Sequence, residues 1–163
     1  MELRDALPED LPFLFKLYRD VRGPEVSAWG LPAGQVDVFL RMQFDGQRRS
    51  YQASFPQAIH QIVISNGEPV GRRLVARTAE GIHLVDIALL SANRNQGIGT
   101  QLIRELLEQA SAAGSSLHLH VLRGNPALRL YQRLGFQETT ADAMYIQMAW
   151  KPGSEAPSAR QVG

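Results

Sequence analysis

Between Ile82 and Leu90 the chain is apolar almost without interruption, broken at His83 and Asp86. A strand of that makeup is covered on both faces and sits inside a sheet rather than at its edge. The residues beyond it narrow the choice further. After Leu90 the sequence turns polar and glycine-bearing, and then Ile98, Leu102, Ile103, Leu106, Leu107 and Ala110 recur on one helical stripe. Gly114 stops that helix, and Leu117 to Leu122 reads as the next strand. The centre of the chain is therefore a βαβ unit.

The flanking elements are of another kind. Glu2 to Ala6 reads as a short strand that turns at Pro8-Glu9-Asp10 into an amphipathic helix carrying Leu11, Leu14, Phe15, Leu17, Tyr18 and Val21, with Gly23-Pro24 as its stop. From Ala33 to about Ala53 a second helix is predicted from Val36, Phe39, Leu40 and Phe44, with Gln43, Gln47 and Tyr51 among its polar neighbours. Ala58 to Ser65 alternates as a strand and meets Asn66-Gly67, a strong hairpin signal. A strand from Glu68 to Thr78 comes next and turns at Ala79-Glu80-Gly81, so three antiparallel strands stand in succession. Asn125-Pro126 supplies an N-cap and first-turn proline for a short helix closed by Gly135. The last strand or strands run from Phe136, especially Ala143 to Trp150. From Pro152 the residues are Gly, Ser, Ala and Pro with few apolar anchors, which predicts one domain over 1–151 and a flexible tail over 152–163. The fold class is α+β, with a mixed, mostly antiparallel central sheet and flanking helices.

Composition removes several chemistries. There is no cysteine, which excludes thiol nucleophiles, disulfides and Cys-ligated zinc. Met1 to Asp5 lacks the pattern of a signal peptide, and no apolar run approaches the ~18 residues of a membrane span, so a cytoplasmic protein away from membranes is expected. The formal charge of +1 gives no support to a nucleic-acid partner. His118 and His120 lack a nearby third ligand, and no metal is expected.

The loop after Leu90 opens a helix whose first turn holds Gly97 and Gly99. Unpaired N–H groups and the positive end of the dipole make such a start an anion site, and glycine leaves room for a phosphate. A Walker-type loop requires Gly-Lys-Ser/Thr, and here Gly99 precedes Thr100-Gln101. A dinucleotide fingerprint requires a small residue where Leu102 stands and an acid closing the next strand, which His118 to Arg123 does not offer. The stretch Arg94-Asn95-Gln96-Gly97-Ile98-Gly99 instead resembles the Arg/Gln-x-x-Gly-x-Gly/Ala pattern of the GNAT superfamily of N-acetyltransferases. Ile87 to Ser91 is similar to that family's preceding strand, with Ser91 in place of the usual proline. Asn125-Pro126-Ala127-Leu128-Arg129-Leu130-Tyr131-Gln132-Arg133-Leu134-Gly135-Phe136 resembles its second signature, Asn-x-x-Ala-x-x-Leu-Tyr-x-x-x-Gly-Phe.

The resemblance spans roughly 3–150 and is specific over 82–136. It implies a GNAT-like fold whose central strands splay, and acetyl-CoA as co-substrate. By position, Leu89, Leu90 and Ser91 would meet pantetheine, and Arg94, Asn95, Gln96, Gly97, Ile98, Gly99 and Thr100 the pyrophosphate. Asn125 and Arg129 would touch the donor from another side. Tyr131 matches the family's general acid near the sulfur, the alternative being a core tyrosine with its hydroxyl at the surface. His83, Asp86 and His120 are candidate bases; His83 and Asp86 face opposite sides of one strand, and Asp86 has the competing role of a carboxylate paired with an arginine. Trp29, Gln43 and Tyr51 are candidates for the acceptor, a small-molecule or peptide amine, and a homodimer is compatible with the family. The same fold can also bind acyl-CoA without catalysis, as a sensor or interaction module.

Overall fold

The computed structural model describes residues 1–153. Beyond Gly153, the tail expected from the composition lies outside the described residues. The elements are β1 (Glu2–Asp5), α1 (Leu11–Ser27), α2 (Ala33–Ser54), β2 (Ile59–Ser65), β3 (Glu68–Thr78), β4 (Gly81–Leu89), α3 (Ile98–Ala113), β5 (Leu117–Leu122), α4 (Ala127–Arg133), β6 (Gln137–Ala141) and β7 (Tyr145–Trp150). The strands form one sheet of seven in the order β1-β2-β3-β4-β5-β7-β6. Strand β1 is antiparallel to β2, and β7 is antiparallel to both β5 and β6. Strands β4 and β5 run parallel, in register at Ile82↔Leu117 and His83↔His118. The expected α+β class and mixed, mostly antiparallel sheet are what the chain adopts.

Two compact units make up the chain: Met1–Leu74 with Asp86–Ile98, and Val75–Val85 with the chain from Gly99. In the first, Leu14, Phe15, Val26, Val36, Leu40, Phe44 and Ile62 form a buried cluster, and Phe15 and Phe44 meet with ring centroids 5.4 Å apart. Each such side chain contributes about 1.5–3 kcal/mol by leaving water. In the second, Leu102, Ile103, Leu106 and Ala110 are buried, as the helical stripe of α3 predicts, and Leu117, Leu119 and Val121 line the buried face of β5.

The expected stop at Gly23-Pro24 does not occur, because α1 continues to Ser27. Pro24 has no N–H to give the Asp20 carbonyl one turn back. The helix resumes, with the Ala28 N–H donating to the Pro24 carbonyl at 3.2 Å. Val26, wholly buried in the hydrophobic cluster, supplies burial that offsets the missing bond, while Val21, expected on the apolar stripe, is 43% exposed. Asn66 and Gly67 both take positive φ (53° and 77°), the pairing that a two-residue hairpin of the right twist requires. Helix α3 ends on Gly114 with the two bonds of a Schellman motif, Ser115 N–H to Ala110 and Gly114 N–H to Ser111.

Candidate active site

The predicted phosphate loop has an anchor that the sequence does not announce. Asp20 of α1 accepts the Ser91 N–H at 2.6 Å and the Ser91 hydroxyl at 3.1 Å, with the Arg94 guanidinium at 3.5 Å. Arg94 also donates from Nε to the Leu89 carbonyl at 3.1 Å, and Gln96 closes back on the Ala92 carbonyl at 3.0 Å. The departure at Ser91 thus has a physical reading: a proline there would have no N–H for Asp20.

From Arg94 to Gly97 the loop is exposed, while Ile98 is buried and fixes the start of α3. Gly97 stands at φ +84° with nothing within 4 Å of where a side chain would begin, so the space beside its backbone is open. The first turn of α3 carries no acidic residue, and its N–H groups have no carbonyl one turn earlier. These residues fit a phosphate group: the backbone is open at Gly97, and the first turn of α3 carries no acid of its own.

Behind the loop, Leu90 donates its N–H to the Val70 carbonyl at 2.8 Å. A side chain on Gly71 would fall on the Ala88 carbonyl oxygen and crowd Leu89, so β3 and β4 approach too closely here for any Cβ. Asp86 accepts the Arg72 Nε at 2.7 Å, and Arg72 also donates to Gln47 of α2 at 2.9 Å. The Arg72 side chain is only 7% exposed, and its guanidinium lies 5.8 Å from the Tyr51 ring centre. Asp86 is therefore the arginine-paired carboxylate, a role that competes with its use as a base. Of the acceptor candidates, Tyr51 stands at this network, Gln43 lies 3.5 Å from the Tyr18 hydroxyl, and Trp29 is 53% exposed with its edge on Phe39.

In the second unit Asn125 Oδ1 accepts the Ala127 N–H at 2.9 Å and opens α4, with Pro126 already at a helical φ of −57°. Arg129 is exposed. Tyr131 is 8% exposed and packs edge-on against Phe136 at 5.8 Å. Gly99 and Thr100 of the predicted loop are half-buried in α3. His83 shares a face of β4 and β5 with His118 and His120, at ring separations of 6.4 Å and 6.0 Å. Burial first, then the neighbouring His120 and His118, hold the His83 imidazole below the ordinary histidine range, so it is neutral at physiological pH. Among the described residues there is no group of three or more His, Cys, Asp or Glu arranged to hold a metal ion, and no helix is long and apolar enough to cross a membrane.

Sequence reasoning missed Asp20, which lies 71 residues before Ser91 with no local mark. Arg72 and Asp86 did leave a signal, as opposite charges on strands joined by the turn at 79–81.

With this geometry in place, comparison with known proteins is direct. The acetyltransferase (GNAT) domain model matches residues 56–138. A Pseudomonas paraeruginosa protein named L-methionine sulfoximine/L-methionine sulfone acetyltransferase is 31% identical over 147 residues, covering 83% of this chain and 79% of that protein. The chain belongs to the GNAT acetyltransferases and is an N-acetyltransferase with acetyl-CoA as donor. Solved structures of the same fold include the PaiA N-acetyltransferase of Thermoplasma acidophilum in complex with coenzyme A, at TM-score 0.69 and 18% identity over 92% of this chain and 98% of that one. The ribosomal-protein-S18-alanine N-acetyltransferase of Escherichia coli aligns at TM-score 0.63 and 17% identity, with 96% of each chain covered.

Proposed function

We propose that the chain moves the acetyl group of acetyl-CoA to the primary amine of a small amino-acid-like molecule, by direct attack in a ternary complex. The observation that carries this reading is the loop itself, with open space beside the Gly97 backbone and its base tied to Asp20. Residues 94–100 take the pyrophosphate, and Asn125 and Arg129 the outer part of the donor. Leu89, Leu90 and Ser91 meet the pantetheine arm; the Leu89 carbonyl, already bonded to Arg94, keeps a second lone pair for an amide of the arm. The choice of acceptor is supported by the 31% identical relative, whose name specifies amino-acid derivatives.

His83, neutral at physiological pH, takes a proton from the incoming amine, whose lone pair attacks the thioester carbonyl. As the carbon–sulfur bond breaks, Tyr131 gives its phenolic proton to the leaving thiolate. No covalent intermediate on the enzyme is needed, which suits a chain without cysteine. Trp29, Gln43 and Tyr51 contribute to the acceptor's surroundings.

The test is release of free thiol from acetyl-CoA with L-methionine sulfoximine, L-methionine sulfone, free amino acids, a polyamine and a peptide with an N-terminal alanine. Turnover on the amino-acid derivatives with a Tyr131→Phe loss of about 10²–10⁴ in kcat supports the reading. Turnover confined to the peptide removes the small acceptor, and unchanged kcat in Tyr131→Phe removes the general acid.

A further inference from the structure

Along α2 the charges Asp37, Arg41, Asp45 and Arg49 alternate in sign at every fourth position. Residues four apart stand on one ridge of a helix, so this row extends over roughly 18 Å. The adjoining ridge, one position further on, carries Val38, Met42 and Gly46. Val38 and Met42 are 62% and 66% exposed, and they lie roughly 180° around the helix from the buried Val36, Leu40 and Phe44. An exposed apolar strip bordered by charge is the kind of surface that partners cover.

Alternating charges at this spacing can also serve the helix itself, by pairing along the ridge. The carboxylates here turn elsewhere. Asp37 reaches Arg19 of α1 at 3.5 Å and Asp45 reaches Arg48 at 3.7 Å, with the two acids 60% and 39% exposed. The Arg41 guanidinium rests over the Phe15 ring, 3.9 Å from its centre, and Arg49 is exposed. Stacking uses the face of a guanidinium and leaves its N–H groups for a carboxylate. Pairs as long and as exposed as those of Asp37 and Asp45 are weak in water, so these charges can take a further partner.

The order of signs selects that partner. Read forward the row is Asp-Arg-Asp-Arg, and read backward it is Arg-Asp-Arg-Asp, so an antiparallel copy of α2 presents the opposite sign at every position. With the two-fold axis midway between Arg41 and Asp45, Asp37 faces Arg49 of the second copy and Arg41 faces Asp45 of the second copy, and symmetry repeats both pairs. Sliding one copy by a turn sets like charges against each other, as does a parallel pairing in register, so the row fixes both direction and register. The same register brings Met42 against Met42 of the second copy. It also sets Val38 over Gly46 of the second copy, where only the tip of Arg49, at 4.0 Å, is near the place a side chain would begin.

We propose that the outer face of α2 is a homodimer interface, with two copies packed antiparallel, Val38 and Met42 between them and four Asp–Arg pairs around them. The residues that make this contact are separate from the donor loop and from the acceptor candidates.

Sedimentation of the full-length protein over about 1–300 µM tests this, with Arg41→Asp and Asp45→Arg as the probes. The wild type should dimerise with a Kd of about 100 µM or tighter. Each single variant sets like charges together twice and should self-associate at least about tenfold more weakly. An equimolar mixture of the two variants restores an Asp–Arg pair at both places, and the mixed dimer should form within about threefold of the wild-type affinity. A variant that had merely failed to fold could not be rescued in this way. A wild type still monomeric at about 300 µM, single variants that associate as the wild type does, or a mixture that associates no better than its components each overturns the proposal.

Discussion

Asp20→Ala is the perturbation most specific to this structure, because the aspartate joins α1 to the donor loop through three contacts of unequal weight. The 2.6 Å bond from the Ser91 N–H to a carboxylate is charge-assisted and contributes about 1.5–3 kcal/mol. The Ser91 hydroxyl at 3.1 Å adds about 0.5–1.5 kcal/mol. The Arg94 contact, at 3.5 Å with the arginine side chain 43% exposed, is discounted to about 0–1 kcal/mol. Since the loop can relax toward water once released, roughly half of the sum should appear as lost stability, about 1–2.7 kcal/mol or a Tm drop of about 2–11 °C. The remainder appears at the donor, because an untied loop must be ordered on binding. Coenzyme A affinity, measured by calorimetry, should fall about five- to a hundredfold. Asp20→Asn keeps an acceptor for the Ser91 N–H and should lose about half as much in free energy. Ser91→Ala, which removes the hydroxyl alone, should lose least. If Asp20→Ala left both coenzyme A affinity and Tm unchanged, or if Ser91→Ala matched it, the anchor role would be refuted.

Asp10 is held down to about 2 by its hydrogen bonds from Arg4 and from the Leu7 N–H. Its folded value lies below its unfolded one, so its contribution is complete above about pH 4 and disappears as pH falls toward 2. Urea unfolding should show the wild type losing stability over that window faster than Asp10→Asn, and parallel curves would contradict the linkage. If His83 is the base, kcat/KM should rise with pH on a limb centred below the ordinary histidine value, and His83→Gln should abolish that limb. A limb at or above the usual value, or one that survives the substitution, points to another base. Gly71→Ala and Gly97→Ala should part company: the first drives a Cβ into the Ala88 carbonyl and should lose about 1–3 kcal/mol of stability in chemical unfolding. The second meets open space at φ +84°, so about 1 kcal/mol of backbone strain accompanies a larger loss in coenzyme A affinity.

Much of the fold was legible because the periods were clean. The stripe of α3, the alternation in β2 and the Asn66-Gly67 turn each come from local rules, and the donor loop is marked by two glycines at a helix start. The end of α1 was misread because Pro24 is a local breaker, and the sequence does not show that Val26 beyond it is wholly buried. Asp20 could not be found for the same reason: its importance is a contact across 71 residues. The roles of His83 and Asp86 were separable by alternation alone, but only the structure shows the carboxylate engaged by Arg72 and the imidazole desolvated beside two others.

Arg94 is the single charged residue between positions 94 and 100, and its guanidinium turns inward to Leu89 and Asp20. Counted together with Asp20, the loop is electrically neutral. On the proposed reading, its hold on a phosphate would come from backbone dipoles acting at contact distance rather than from a field reaching into solvent. At 0.1 M ionic strength mobile ions already screen beyond about 10 Å, so raising the salt removes little that this loop uses. The loop's share of donor affinity should therefore be nearly independent of ionic strength.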